Sequence, residues 1–253
     1  MPTPGKVRTR HVSRVSRAGL GTELYLINEG PDEPFGGGVA GIDFAWADPA
    51  TTGQVMKFVI VPLTSDDTSI PPAQLRLPRF TPLGEAVRTR RLSLSEEESQ
   101  TVLVSERGGR IVLDCRRGVP FGPTAAKLGT LNPDDTPNPL RWMDAPTETP
   151  TVGDTEIWEL HNHTEDAHPI HIHLVQFRVL DRTPMGDVIG GPSTRPPEPW
   201  ETGFKDTVVA FPDEVTRVKA KFDIAGLFVW HCHIVEHEDN EMMRPYVVLP
   251  GSP

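Results

Sequence analysis

Val229-Trp230-His231-Cys232-His233-Ile234-Val235-Glu236-His237-Glu238-Asp239-Asn240-Glu241-Met242-Met243 is the stretch on which the reading of this chain turns. A second cluster, His168-Pro169-Ile170-His171-Ile172-His173, stands upstream of it. Val229-Trp230 reads as the end of a buried strand, and along a strand successive side chains point to opposite faces. His231 and His233 therefore share one face and Cys232 takes the other. His171 and His173 likewise share a face, with His168 across from them. Laid side by side, the two strands put Cys232 and His168 on one face, and His171, His173, His231 and His233 on the other. The chain must turn after Ile234, which lets His237 and Met242 return to the cysteine side.

A lone histidine or cysteine on an apolar strand is usually a packing residue. Six histidines, a cysteine and a methionine at these spacings point instead to metal. A thiolate, two imidazoles and a weak axial thioether form the ligand set of a blue-copper electron-transfer site. Four imidazoles in two His-x-His pairs suit a copper cluster that other residues complete. Zinc takes the same residue types, but structural zinc sites favour paired cysteines, which are absent, and do not use methionine.

Arg141–Arg182 (RWMDAPTETPTVGDTEIWELHNHTEDAHPIHIHLVQFRVLDR) and His231–Pro245 (HCHIVEHEDNEMMRP) closely resemble the C-terminal domain of three-cupredoxin multicopper oxidases, in the bacterial spore-coat laccase and bilirubin-oxidase branch. Asn28–Phe35 (NEGPDEPF) and Thr51–Met56 (TTGQVM) look like the end of that family's middle domain. The resemblance spans about residues 20 to 250. It implies a type 1 copper held by His168, Cys232, His237 and axial Met242, a type 2 copper on His171, and a type 3 pair on His173, His231 and His233. It also implies electrons taken from a phenolic, aromatic-amine or bilirubin-like donor and passed through Cys232 to reduce O2 to water. Glu238 matches the family's acid beside the dioxygen site and is the candidate catalytic carboxyl. The loop histidines His161 and His163 align with non-ligating positions. The family's cluster needs four further histidines from an N-terminal domain. This chain is accordingly expected to be a C-terminal fragment, active with the missing cupredoxin domains or a complementing chain. The alternative is a non-catalytic type 1 copper-binding, electron-transfer protein.

The rest of the chain fits this frame. The 27 prolines and 22 glycines, with many short β-rich runs, suggest a loop-rich all-β sandwich. Seven or eight short strands suit a Greek-key cupredoxin sandwich over residues 86–253. Strands are expected at Arg91–Leu94, Gln100–Ser105, Gly109–Leu113, Asp154–Leu160, Ile170–Asp181, Asp206–Ala210, Val215–Phe222 and Leu227–His231, with a long loop over Pro120–Pro139. Residues 19–85 hold strands at Glu23–Asn28 and Val55–Leu63 and read as the remnant of a second cupredoxin domain plus a linker. Residues 1–18 form a basic arm that matches nothing in the family. A net charge of −10 argues against a nucleic-acid partner. No apolar run is long enough to span a membrane, and the arm lacks the apolar segment of a secretory signal. The sequence assigns no compartment. Cys115 reads as a structural or surface thiol.

Overall fold

The computed structural model describes residues 19–76, 80–98, 103–121 and 123–251. The basic arm expected at residues 1–18 lies outside them. The chain falls into two compact units that divide between Pro82 and Leu83.

In the first unit, β1 (Glu23–Ile27) pairs antiparallel with β2 (Gln54–Val59). Tyr25, Ile27, Val55 and Met56 are all more than half exposed on this ribbon. Two strands alone bury too little apolar surface to be stable.

The second unit contains β3 (Arg88–Glu98), β4 (Leu103–Arg107), β5 (Arg110–Leu113), β6 (Val119–Pro120), β7 (Pro123–Leu131), β8 (Pro137–Pro139), β9 (Thr155–Asn162) and β10 (His168–Ile172). It continues with β11 (Phe177–Pro184), β12 (Phe204–Lys205), β13 (Thr207–Ala210), β14 (Glu214–Lys221), β15 (Gly226–Cys232), the single-turn helix α1 (Val235–Glu238) and β16 (Met243–Val248). A seven-stranded sheet runs β12-β11-β14-β9-β3-β7-β8, and a four-stranded sheet runs β13-β10-β15-β16. Alternate residues of both sheets enter one core. Leu92, Leu128, Trp158, Leu160 and Phe177 come from the large sheet, and Ile170, Ile172, Trp230, Cys232 and Tyr246 from the small one. Trp158 joins them, its ring centroid 5.7 Å from that of Trp230 and 5.6 Å from that of Tyr246. The expected all-β sandwich is what forms.

Two local expectations are corrected and one unexpected strand is added. The long loop expected over Pro120–Pro139 contains β7, paired with β3 in the large sheet. Its residues Ala125-Ala126-Lys127-Leu128-Gly129 lack β-branched side chains, so strand propensity does not reveal it. The buried Lys127 is matched by Glu97 at 2.8 Å, and a Cβ at Gly129 would strike the Asn138 carbonyl of β8. The single strand expected over Ile170–Asp181 is two, β10 and β11, in different sheets. The break falls at Leu174, with φ 68°, next to His173, whose carbonyl accepts the Tyr246 hydroxyl at 2.7 Å. Finally, Met243–Val248 forms β16, which the pattern does not announce because Pro245 interrupts it. β16 is the edge of its sheet, where a missing N–H is tolerated.

A buried ion pair on β11 ties the turn at residues 199–201 to β13. Arg182 on β11, fully buried, donates to both Glu201 carboxylate oxygens at 2.6 and 2.7 Å and to the Val209 carbonyl at 2.9 Å. Burial alone would raise the Glu201 carboxyl, but the Arg182 hydrogen bonds and charge outweigh it and hold the group below the usual carboxylate range. The folded-state value is therefore depressed, so the stabilisation is present above the ordinary carboxylate pKa and disappears as pH falls through the folded value. Glu201→Gln is expected to cost about 3 kcal/mol at pH 7 by stranding the buried guanidinium. The gap from the native chain should close as the medium is acidified below the carboxylate range. Urea unfolding across that range checks this, and a gap independent of pH would refute it.

Candidate metal centre

The small sheet sorts the histidines. On β15, Trp230 and Cys232 enter the core with no exposed surface, and His231 points to the opposite face. On β10, His168, Ile170 and Ile172 turn inward and His171 turns outward. Ile170 pairs with Cys232 and His171 with His231 across the two strands. The alternation thus creates an inner and an outer group on either side of the same two strands.

The inner group is closed. Cys232 Sγ lies 3.7 Å from His168 Nδ1 and 3.9 Å from His237 Nδ1, and the two Nδ1 atoms are 3.2 Å apart. His237 arrives on α1. The turn behind it is pinned by the Met242 N–H on the His237 carbonyl at 2.9 Å and the Cys232 N–H on the Met242 carbonyl at 3.0 Å. Met242 is fully buried in the same core cluster as Cys232. Met243 starts β16 opposite His231 and is only half-buried.

Hydrogen bonding sets the tautomer of His168. The Thr164 hydroxyl lies within reach of the Asn162 side-chain oxygen at 2.8 Å and the Asp166 carbonyl at 3.0 Å, both acceptors only. With its single proton given to either of them, the hydroxyl accepts from His168 Nε2–H at 2.7 Å, which is the tautomer that ligation through Nδ1 requires. A neutral imidazole protonated at Nε2 has its lone pair at Nδ1, here directed toward Cys232 and His237. Burial, with the His237 charge adding to it, pushes His168 down to about 3, and burial also lowers His237. Burial raises the Cys232 thiol to about 12, against the Ile234 N–H that bonds its sulfur at 3.4 Å. At neutral pH the pocket thus holds neutral imidazoles around a thiol whose ionisation needs a neighbouring cation. A soft metal ion supplies that cation and takes this donor set, so the residues fit such a metal.

The outer group is more open. His171 and His173 are half-buried, His231 is buried and His233 is exposed. Ring centroids are 4.8 Å apart for His171–His173, 5.4 Å for His171–His231, 5.2 Å for His171–His233, 5.0 Å for His173–His231 and 4.8 Å for His231–His233. His173 Nε2 and His231 Nε2 are 3.0 Å apart. Backbone oxygens steady the rings, with His171 Nδ1 2.6 Å from the Asp206 carbonyl and His231 Nδ1 3.1 Å from that of Cys232. Glu238, at the end of α1, places Oε2 3.3 Å from His231 Nδ1.

His161 and His163 join neither group and are carried by β9 and the loop after it. Cys115 is exposed. Sequence reasoning missed Thr164 and Glu96, whose Oε1 lies 3.8 Å from His168 Nε2. Asn162-His163-Thr164 does carry an Asx-turn signature, with the Thr164 N–H bonded to the Asn162 side chain at 3.0 Å. Nothing local marks Glu96, which reaches the site from β3.

A family model described as multicopper oxidase matches residues 120–252. A laccase of Bacillus subtilis is 52% identical over 118 residues, covering 43% of this chain and 23% of that laccase. A laccase of Haloferax volcanii is 52% identical over 106 residues, covering 42% of this chain and 17% of its own length. The chain therefore spans about a quarter or less of the length of these two relatives. The solved multicopper oxidase of Campylobacter jejuni superposes with a TM-score of 0.57 at 20% identity, over 92% of this chain and 42% of that one, and so supports the cupredoxin-type fold alone. Matched over more than half its length and carrying histidine and cysteine groups on its small sheet, this chain belongs to the multicopper oxidase family, whose metal is copper.

Proposed function

We propose that the chain forms the electron-accepting part of a laccase-like copper oxidoreductase. In this reading His168, Cys232, His237 and Met242 would hold a type 1 copper. His171 serves a type 2 copper, and His173, His231 and His233 serve the type 3 pair. The observation that carries it is the position of Cys232, which is buried in the inner group and bonded through the backbone to His231 and His233 of the outer one. Copper at the inner group supplies a one-electron acceptor for a phenolic, aromatic-amine or bilirubin-like donor, with O2 as the final oxidant. Cys232 and His168 keep water from that site, while the backbone on either side of Cys232 links it to the outer imidazoles. Those imidazoles need partners from further cupredoxin domains or a complementing chain. Residues 19–85 we propose to be closing strands of one such domain, whose remaining strands would cover the exposed face of β1 and β2.

The closed inner group and open outer group favour a second reading for the chain by itself, a blue but non-catalytic electron-transfer protein. Copper titration with paramagnetic resonance and O2 uptake separates the two. One tight blue copper per chain is expected, with turnover only when the complementing domains are present. Blue protein that stays inert with them selects the second reading, and four tightly held coppers in a monomer would sink the half-cluster assignment.

Met242 offers a sharper check on the ligand register. A thioether axial ligand is weak, and the axial position tunes the potential. Met242→Leu conserves volume, so it should cost under about 1.5 kcal/mol in the core. It is expected to keep the blue colour and raise the reduction potential, because a donor favouring Cu(II) is removed. Met243→Leu should leave the potential nearly unchanged. A potential that responds to Met243 and not Met242 would move the register by one residue.

A further inference from the structure

The motif left outside the metal centre is His161-Asn162-His163. On β9, Trp158 and Leu160 face the core, so Glu159 and His161 point to the opposite face of the large sheet, and His163 continues that parity just past the strand end. His161 is 6% exposed and Glu159 7% exposed. The Nε2 atoms of His161 and His163 are both buried without a hydrogen-bond partner. So is the hydroxyl of Ser95, which lies on the neighbouring strand β3 two residues beyond Ser93, the register partner of His161. The two rings are nearly parallel, 16° apart, with centroids separated by 6.5 Å. His161 Nε2 stands 3.7 Å from Glu159 Oε2, too far for a hydrogen bond but within reach of a shared cation. Asp213, whose charge acts on His163, adds negative potential from the β14 side.

A buried imidazole nitrogen without a partner forfeits its hydration, at roughly 1–3 kcal/mol each. Two on one face, with the Ser95 hydroxyl in the same deficit and the Glu159 carboxylate, itself 3.9 Å from Arg91 Nε, beside them, call for a common ligand. Imidazole nitrogens with carboxylate oxygen suit a borderline divalent cation, which can complete its shell with water. The ring separation exceeds the 4.8–5.4 Å of the outer group, so binding requires the rings to close by about an ångström and to tilt out of their near-parallel arrangement until both Nε2 lone pairs meet. We propose that His161 and His163, with Glu159, form a second, non-blue site for a divalent cation of the zinc or copper(II) class, separate from the Cys232 centre and independent of its assignment.

The test uses the full chain, metal-free and labelled with 15N-histidine, titrated with Zn2+ alone. The His161 and His163 ring resonances are expected to move together, along one saturation curve, whichever of the other metal groups fills first. His163→Leu removes a buried nitrogen that lacks a partner, so the variant should fold. It is expected to retain one metal ion fewer per chain after gel filtration, and the same loss should persist in a Cys232→Ser background. Glu159→Gln should weaken that ion at least about tenfold. Unmoved His161 and His163 resonances at saturating Zn2+ would overturn the proposal and leave the pocket to water. An unchanged metal count in His163→Leu would do the same.

Discussion

Cys232→Ser is expected to abolish the blue colour outright and to weaken copper at the inner group by more than about 100-fold, the upper end of what even an outer partner of a metal ligand contributes. The cysteine has no exposed surface, and both facing imidazoles offer Nδ1 within 3.9 Å of its sulfur. A hydroxyl in its place is neither an anion at neutral pH nor a soft donor, so the imidazoles keep their positions and lose the charge that balances the metal. Proton release distinguishes this from simple misfolding. With the thiol held near 12 and His168 near 3 in the metal-free pocket, loading the native chain at pH 7 should free one proton, taken from Cys232. The serine variant should free none, while its far-ultraviolet circular dichroism stays that of the native sandwich. Retained blue colour in Cys232→Ser would remove the inner group from consideration as a type 1 site.

Glu238→Gln is expected to slow O2 turnover by about 100-fold in the complemented protein, the lower end of what a positioned proton donor contributes. On the proposed reading, turning O2 into water would consume protons that must reach the outer imidazoles. Of the two carboxylates on α1, Glu238 ends 3.3 Å from His231 Nδ1 and lies within 4.8 Å of a His233 ring nitrogen. Glutamine keeps the shape and hydrogen bonding of that position but cannot hold or pass a proton. Reduction of the inner copper by the donor should be unchanged, since Glu238 stands on the outer side of Cys232. The deficit should widen as pH rises and free protons become scarce, and Glu238→Asp should lose less. Stopped-flow reduction and O2 uptake on the same preparation divide the half-reactions. Equal O2 turnover in native and Glu238→Gln proteins would return this carboxylate to the role of a solvated turn residue.

The sequence alone settles a good deal, because alternation along a strand is a local property. Once β10 and β15 read as strands, His168 and Cys232 must face one way and His171, His173, His231 and His233 the other, whatever surrounds them. The all-β class and the location of the metal-type residues follow from the same two segments and from the family resemblance they carry. Tertiary structure decides what local pattern cannot hold. His237 meets His168 at 3.2 Å only because the turn through Met242 folds back onto Cys232, a contact between residues 69 positions apart. The tautomer of His168 depends on Thr164, and a carboxylate arrives beside it from β3 through Glu96. β7 is a strand because β3 and β8 supply hydrogen bonds on both sides of a segment with weak propensity of its own, and β16 because an edge position excuses its proline. The burial of the His161 and His163 Nε2 atoms belongs to this class as well. Spacing puts both on one face, but only packing on the outer side of the large sheet takes their nitrogens away from water.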